Sequence, residues 1–348
     1  MNIKRLGIDL AKHVFQLHGV DNHEQPVLKK KLKREQMLSY FRDLTPCLIG
    51  MEACGGAHYW ARELQKLGHT VKLIAPQFVK PYVKANKNDA NDAEAICEAV
   101  SRPMMRFVTI KTVEQQDLQA THRVRSQLVS QRTEKVNQIR GLLAEYGLVV
   151  GQRIDRLRQV LPDFLDDAES VLTGEFRALL EGLRQDLHAL DERVKTLDKR
   201  IQQQADSHPS AKRLQQIPGI GPLTATALIA AVGDGRQFKR GRDMAAWLGL
   251  TPRQHSSGGK ERLLGITKRG DAYLRTLLIH GARAVLRFAD KKDDTRSRWL
   301  VQLRERRNPN IAAVAQANKN ARIAWALLTK NMDYQCTERA LALESVCA

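Results

Sequence analysis

Aromatic residues make up only 5% of this 348-residue chain, few for a surface that reads single-stranded bases by stacking. Its five cysteines, Cys47, Cys54, Cys97, Cys336 and Cys347, are scattered and odd in number. They form no CxxC or His-Cys spacing, which excludes a disulfide framework and a zinc site and points to reduced thiols in a cytoplasmic protein. No apolar run approaches the roughly 20 residues that span a bilayer, and no secretory signal is recognised at the N-terminus. Acidic residues are scarce: 38 Asp and Glu face 57 Lys and Arg, for a net charge of +19. That surplus favours a polyanionic partner, DNA or RNA ahead of a membrane surface, because the basic stretches lack an apolar face with aromatic anchors. Hydrophobic content is an ordinary 43%, enough for a buried core, and the length suits at least two domains.

The N-terminal hundred residues alternate strand and helix. Residues 3–9, 13–20 and 26–32 read as three strands and 34–44 as a short helix. CLIGMEA at 47–53 reads as a buried central strand. A helix over 57–67 stops at Gly68, a strand follows at 70–76, and a helix over 87–101 enters through Asn88 or Asp89. This order describes a mixed sheet with helices on both faces. Asp9 and Glu52 fall at strand ends, where open α/β sheets place their sites. Asp89 and Asp92, three apart at a helix start, share one face. Each acid alone has a structural reading: Asp9 a turn cap, Asp89 an N-cap, Asp92 a first-turn acid favoured by the helix dipole. Together, clustered carboxylates repel one another unless a cation neutralises them. Hard oxygen ligands suit Mg²⁺ or Mn²⁺, and a pair of such ions can serve phosphodiester cleavage.

GIDLAK (7–12), MEACGG (51–56) and NKNDANDAEAI (86–96) resemble the RuvC-like, ribonuclease-H-type DEDD domain of the insertion-sequence one-ten transposase group, which includes the Piv-type DNA invertases. The resemblance implies a metal-binding catalytic tetrad of Asp9, Glu52, Asp89 and Asp92.

Residues 102–207 read as a basic helical connector followed by a coiled coil. The basic surplus over 102–140 either tracks phosphates or forms a solvated face. Phe176, Leu180, Leu183, Leu187, Leu190, Val194, Leu197 and Ile201 are spaced alternately four and three apart, a heptad seam. The seam pairs either within the chain or between chains. A dimer contact is preferred, because recombination needs several active sites. HPSAKR at 208–213 reads as a linker. IPGIGPLTATALIAAVGD (217–234) resembles a helix-hairpin-helix element, in which Gly219 and Gly221 would expose backbone N–H groups to phosphate; the same letters also suit a buried tight turn.

Residues 236–307 carry 19 Lys and Arg against seven Asp and Glu. Within them, Ser256 and Ser257 precede Gly258 and Gly259, amid Arg253, Lys260, Arg262, Lys268 and Arg269. Taken alone this is either a polar loop or a serine nucleophile offered to a phosphodiester held by the cations. Residues 310–331 read as an Ala-rich packing helix closing a C-terminal domain over 208–334, with a loosely ordered tail over 335–348.

Ile217–Gly221, Gly249–Pro252, Ser257–Gly258 and Thr267–Gly270 match, in order, the second domain of the same transposase group. The resemblance implies that Ser257, with Ser256 the adjacent alternative, forms a phosphoserine–DNA intermediate. It also implies double-stranded DNA as substrate, an RNA encoded by the element as guide, and a homo-oligomer, dimer or tetramer, acting in the bacterial cytoplasm. The competing enzyme reading is a RuvC-like junction resolvase without serine chemistry.

Overall fold

The structure is a computed structural model that describes residues 2–84, 88–167 and 171–335. It contains two compact units, the first ending at Val113 and the second beginning at Glu114. The expected tail past residue 335 and the first two residues of the 86–96 motif lie outside the described residues.

The first unit is a sheet flanked by helices. Its elements are β1 (Arg5–Leu10), β2 (Val14–Val20), β3 (Pro26–Lys33), α1 (Met37–Arg42), β4 (Leu48–Glu52), α2 (Ala57–Lys66), β5 (Thr70–Ile74), the single turn α3 (Pro76–Val79), α4 (Asp89–Val100) and β6 (Phe107–Val108). The strand order is β3-β2-β1-β4-β5-β6. β1 pairs parallel with β4 and antiparallel with β2, and β4 pairs parallel with β5. One face buries Leu6, Ile8, Phe15, Leu17, Leu28 and Leu32 against Phe41, Trp60 and Leu64 of α1 and α2. The other face receives α4. Glycine makes that packing possible: a Cβ on Gly7 would lie 2.2 Å from the Ala93 carbonyl oxygen, and one on Gly50 would lie 2.8 Å from Val100 Cβ. β6, which no residue pattern announced, adds a short antiparallel edge strand beside β5. The unit therefore runs past the boundary expected at residue 101.

The second unit is helical. α5 (Val113–Glu145), whose first residue closes the first unit, is followed by α6 (Ile154–Asp166) and α7 (Gly174–Ser207). The heptad positions Leu180, Leu187, Val194 and Ile201 are buried, while Leu183, Leu190 and Leu197 are only half-buried. The buried positions of the seam, expected to meet a second copy, are filled from within the chain. Phe176, Leu180 and Leu187 pack with Val136, Ile139 and Leu143 of α5 and with Leu157 and Leu161 of α6. Ion pairs Arg125–Asp198, Arg132–Asp191 and Lys135–Asp186 fix α5 antiparallel to α7.

The segment expected as a linker is instead the helix α8 (Pro209–Gln215), which buries Ala211 and Leu214. It leads through a tight turn into α9 (Pro222–Val232), buried along most of its length. α10 (Gly241–Trp247), the two-stranded ribbon of β7 (Pro252–Gln254) and β8 (Leu263–Ile266), α11 (Ala272–Arg287), α12 (Thr295–Arg306) and α13 (Pro309–Lys330) complete the unit. α13 presents Ala312, Ala313, Ala317, Ala321 and Ala324 to the core, small side chains that let neighbouring helices approach closely. No described helix is long and apolar enough to cross a membrane.

Candidate active site

Asp9 and Glu52 end the two central parallel strands. Ile8 is the register partner of Met51, so Asp9 and Glu52, one step further on, stand side by side on the same face. α4 runs against that face in the opposite direction to β1: the Arg5 Nε donates to the Cys97 carbonyl at 3.0 Å, and Gly7 meets Ala93. Continuing this sense carries the first turn of α4, with Asp89 and Asp92, toward the strand end that holds Asp9. The turn is set by Asn88, whose side chain accepts from the Asn91 N–H at 2.8 Å, so the cap is Asn88 and Asp89 is the first helical residue. Both Asp9 and Glu52 are half-buried, whereas Asp89 is exposed. The nearby Cys54 thiol is pushed up, first by burial and then by the charges of Glu52 and Asp9. The donors are hard oxygens, the type that Mg²⁺ and Mn²⁺ prefer. Among the described residues no group of three His, Cys, Asp or Glu side chains is gathered closely enough to hold an ion.

No motif or pattern in the sequence singles out Gln16. It is the register partner of Asp9 on one side and of Lys31 on the other. It is 8% exposed, and its Oε1 has no hydrogen-bond partner among the described residues. A buried amide beside an acidic edge is a polar group held ready.

The serines lie in the second unit, on the ribbon. His255 N–H donates to the Arg262 carbonyl at 2.9 Å and Lys260 N–H to the Ser257 carbonyl at 3.1 Å. Between Ser257 and Lys260, Gly258 and Gly259 take φ +55° and +75°, the positive pair that a two-residue hairpin turn requires. The glycines therefore make the turn, and nothing lies within 4 Å of where their Cβ atoms would be. The two serines differ. Ser256 Oγ accepts from the Arg262 N–H at 3.3 Å, whereas among the described residues no side-chain hydrogen bond engages Ser257 Oγ. Arg253, Lys260, Arg262, Lys268 and Arg269 are all exposed, and none forms an ion pair among the described residues. The base of the ribbon is locked by glycine crossings. A Cβ on Gly249 would lie 2.2 Å from the Arg269 carbonyl oxygen, and one on Gly270 would lie 1.9 Å from that of Trp247. Arg275 Nη1 ties both sides by donating to the Leu248 and Arg269 carbonyls.

Gly219 has a packing role. It takes φ +89°, and a Cβ there would lie 2.8 Å from the Gly281 carbonyl oxygen on α11. Gly221 caps α9 in extended backbone. The helix-hairpin-helix reading thus rests on sequence alone. His122 of α5, which no motif announced, is 3% exposed. Its Nδ1 lies 3.0 Å from Tyr273 Oη and its Nε2 3.0 Å from Thr226 Oγ1. Burial pushes its pKa down to about 4. This neutral imidazole ties α5 and α9 to the start of α11, just beyond the ribbon.

Comparison with known proteins gives a consistent picture. Residues 6–148 match the profile DEDD_Tnp_IS110, described as a transposase, and residues 211–298 match that of the transposase IS116/IS110/IS902 family. A protein of Pseudomonas aeruginosa named a probable family 20 transposase is 55% identical over 336 residues, 96% of this chain and 99% of the relative. The transposase for insertion sequence element IS1111A of Coxiella burnetii is 50% identical, over 96% of this chain and 92% of its own length. The transposase for insertion sequence element IS1328 of Yersinia enterocolitica is 41% identical, over 94% and 98%.

Proposed function

Because this chain belongs to the IS116/IS110/IS902 transposase family and is thereby a DNA transposase, we propose that it cuts and rejoins insertion-element DNA through a phosphoserine intermediate at Ser257. The observation that carries this reading is the presentation of Ser257: an exposed hydroxyl at a glycine turn, beside Arg253, Lys260 and Arg262. Serine is a weak nucleophile at its ordinary pKa and needs activation. Asp9, Glu52, Asp89 and Asp92, in a first unit read as RuvC-like from its family, would hold the divalent cations. Bound Mg²⁺ or Mn²⁺ would supply Lewis-acid polarisation of the phosphodiester. Arginine and lysine on the ribbon, together with Lys268 and Arg269, would grip the phosphate oxygens. Ser257 Oγ loses its proton and bonds to phosphorus while one bridging P–O bond of the DNA breaks, releasing a hydroxyl end. A hydroxyl of the partner strand then attacks the phosphoserine, forms the new phosphodiester and returns the serine.

The guide RNA and an oligomer of two or four copies are part of the same proposal. Support for the RNA is the family resemblance and the +19 charge; support for the oligomer is that two DNA ends must be joined. The half-buried Leu183, Leu190 and Leu197 leave part of the heptad seam open to a second copy. The test is cutting of labelled element-end duplex with Mg²⁺ and the flanking transcript. Asp9→Asn and Glu52→Gln are each expected to slow cutting on the order of 10³-fold, because several kcal/mol of charge stabilisation is lost. Unchanged cutting in both variants would remove the acids from the reaction.

A further inference from the structure

β3 carries four lysines and no acid, in the sequence PVLKKKLK. It is an edge strand of the six-stranded sheet, and its side chains alternate between two faces. Leu28 and Leu32 point into the core with Phe15 and Leu17. Lys30 shares their face and lies over the Tyr40 ring, 4.5 Å from its centroid. Lys29, Lys31 and Lys33 point to the other face, the one that carries the acids. Register fixes this: Lys31 pairs with Gln16, Gln16 pairs with Asp9, and Lys29 pairs with His18. All three lysines are exposed, and none forms an ion pair among the described residues.

We propose that Lys29, Lys31 and Lys33 form a docking track for the phosphate backbone of the DNA strand that enters the acidic edge. The proposal rests on the functional reading above and adds the direction of substrate approach. An acidic site that cuts a polyanion has an electrostatic problem, because its carboxylates repel the substrate. A row of unopposed cations at its flank offsets that repulsion. The distances fit. Neighbouring strands lie about 4.8 Å apart, so the Lys31 and Asp9 backbones are about 10 Å apart across β2. An extended lysine therefore reaches a phosphate adjacent to one held at Asp9. The intervening residue is also polar: Gln16 is buried, with an unpartnered Oε1 among the described residues, where a purely structural row would carry an apolar side chain. Edge lysines also discourage strand-to-strand aggregation. That role would be served equally by either face and predicts no link to DNA.

The experiment uses the full-length protein and a labelled duplex carrying the element end, with binding followed by anisotropy across salt concentrations. The variant Lys29→Gln/Lys31→Gln/Lys33→Gln is expected to bind more weakly, with the slope of log affinity against log salt reduced by about two to three, one unit per lost phosphate contact. Lys30→Gln, on the core-facing side, is expected to match the wild type. Lys29→Arg/Lys31→Arg/Lys33→Arg is expected to keep wild-type binding and separates charge from any effect on the strand. A photocrosslinking amino acid substituted for Lys31 is expected to mark nucleotides beside the cut position. A triple glutamine variant with an unchanged slope, or crosslinks only at positions remote from the cut, would overturn the track while leaving the transposase chemistry standing. Failure of the wild type to bind or cut the duplex would overturn both.

Discussion

At the scale of the residue, Ser256 and Ser257 are adjacent and chemically identical, and the hairpin separates them. Ser256 accepts a backbone N–H across the ribbon, whereas Ser257 sits at the start of the glycine turn. Ser256→Ala therefore removes one exposed hydrogen bond, with an expected effect within about 1 kcal/mol on stability and a modest change in rate. Ser257→Ala removes the proposed nucleophile and is expected to slow rejoining by at least about 10³-fold. Gly7 offers a second residue-scale test. A methyl group there would collide with the Ala93 carbonyl at 2.2 Å, so α4 must lift off the sheet and take Asp89 and Asp92 with it. Gly7→Ala is expected to destabilise the protein by about 1–3 kcal/mol or more and to depress cutting beyond what stability explains. A melting temperature and a cutting rate both equal to the wild type would contradict this.

At the scale of the element, the paired helices α5 and α7 make two predictions. Leu187 is buried in the seam and Leu179 is 60% exposed. Leu187→Ala is expected to cost about 2–5 kcal/mol and Leu179→Ala less than about 0.5 kcal/mol, measured by urea unfolding of the helical signal. Equal costs would mean the seam is not packed within the chain. The second prediction concerns His122. Burial lowers its pKa from 6.5 to about 4, so between those values the unfolded chain binds the extra proton and the folded one does not. The resulting stability is complete above pH 6.5 and is lost as pH falls toward 4, by about 3 kcal/mol in total. In His122→Gln the unfolding midpoint is expected to depend less on pH in that window; the same pH dependence as wild type would locate the effect elsewhere.

These elements also show what a sequence can carry. The strands, α4 and the heptad helix were legible because each is a local pattern: alternation, an Asn cap, a three-and-four repeat. The placement of Asp9 and Glu52 toward strand ends and of Asp89 and Asp92 in the first turn of a helix was legible because strand ends and helix starts mark themselves. The partner of the heptad seam was not, since α5 bears a matching but interrupted stripe, Leu128, Val136, Ile139 and Leu143, broken by polar residues. The close approach of Gly219 to Gly281, 62 positions later, carries no signal in the sequence because only the fold brings the two together. β6 is two residues long and has no period of its own. Gln16 and Lys31 gain meaning only from register across three strands.

At the scale of the whole molecule, the charge of +19 predicts that binding to DNA of any sequence weakens steeply with salt, as released counterions dictate. Preference for the element end above this background must come from elsewhere, and the proposed guide RNA is that source: adding the flanking transcript is expected to sharpen specificity more than it raises affinity for unrelated duplex. The proposed chemistry, however, turns on the covalent link. The most direct measurement is to quench a reaction with element-end DNA by denaturant, digest the protein, and identify by mass spectrometry which peptide carries nucleotide. A nucleotide-bearing phosphoserine is expected at Ser257, absent in Ser257→Ala and in Asp9→Asn and retained in Ser256→Ala. Cut DNA with no modified peptide, at the same rate in Ser257→Ala, would contradict it and leave the acids alone to cut the DNA.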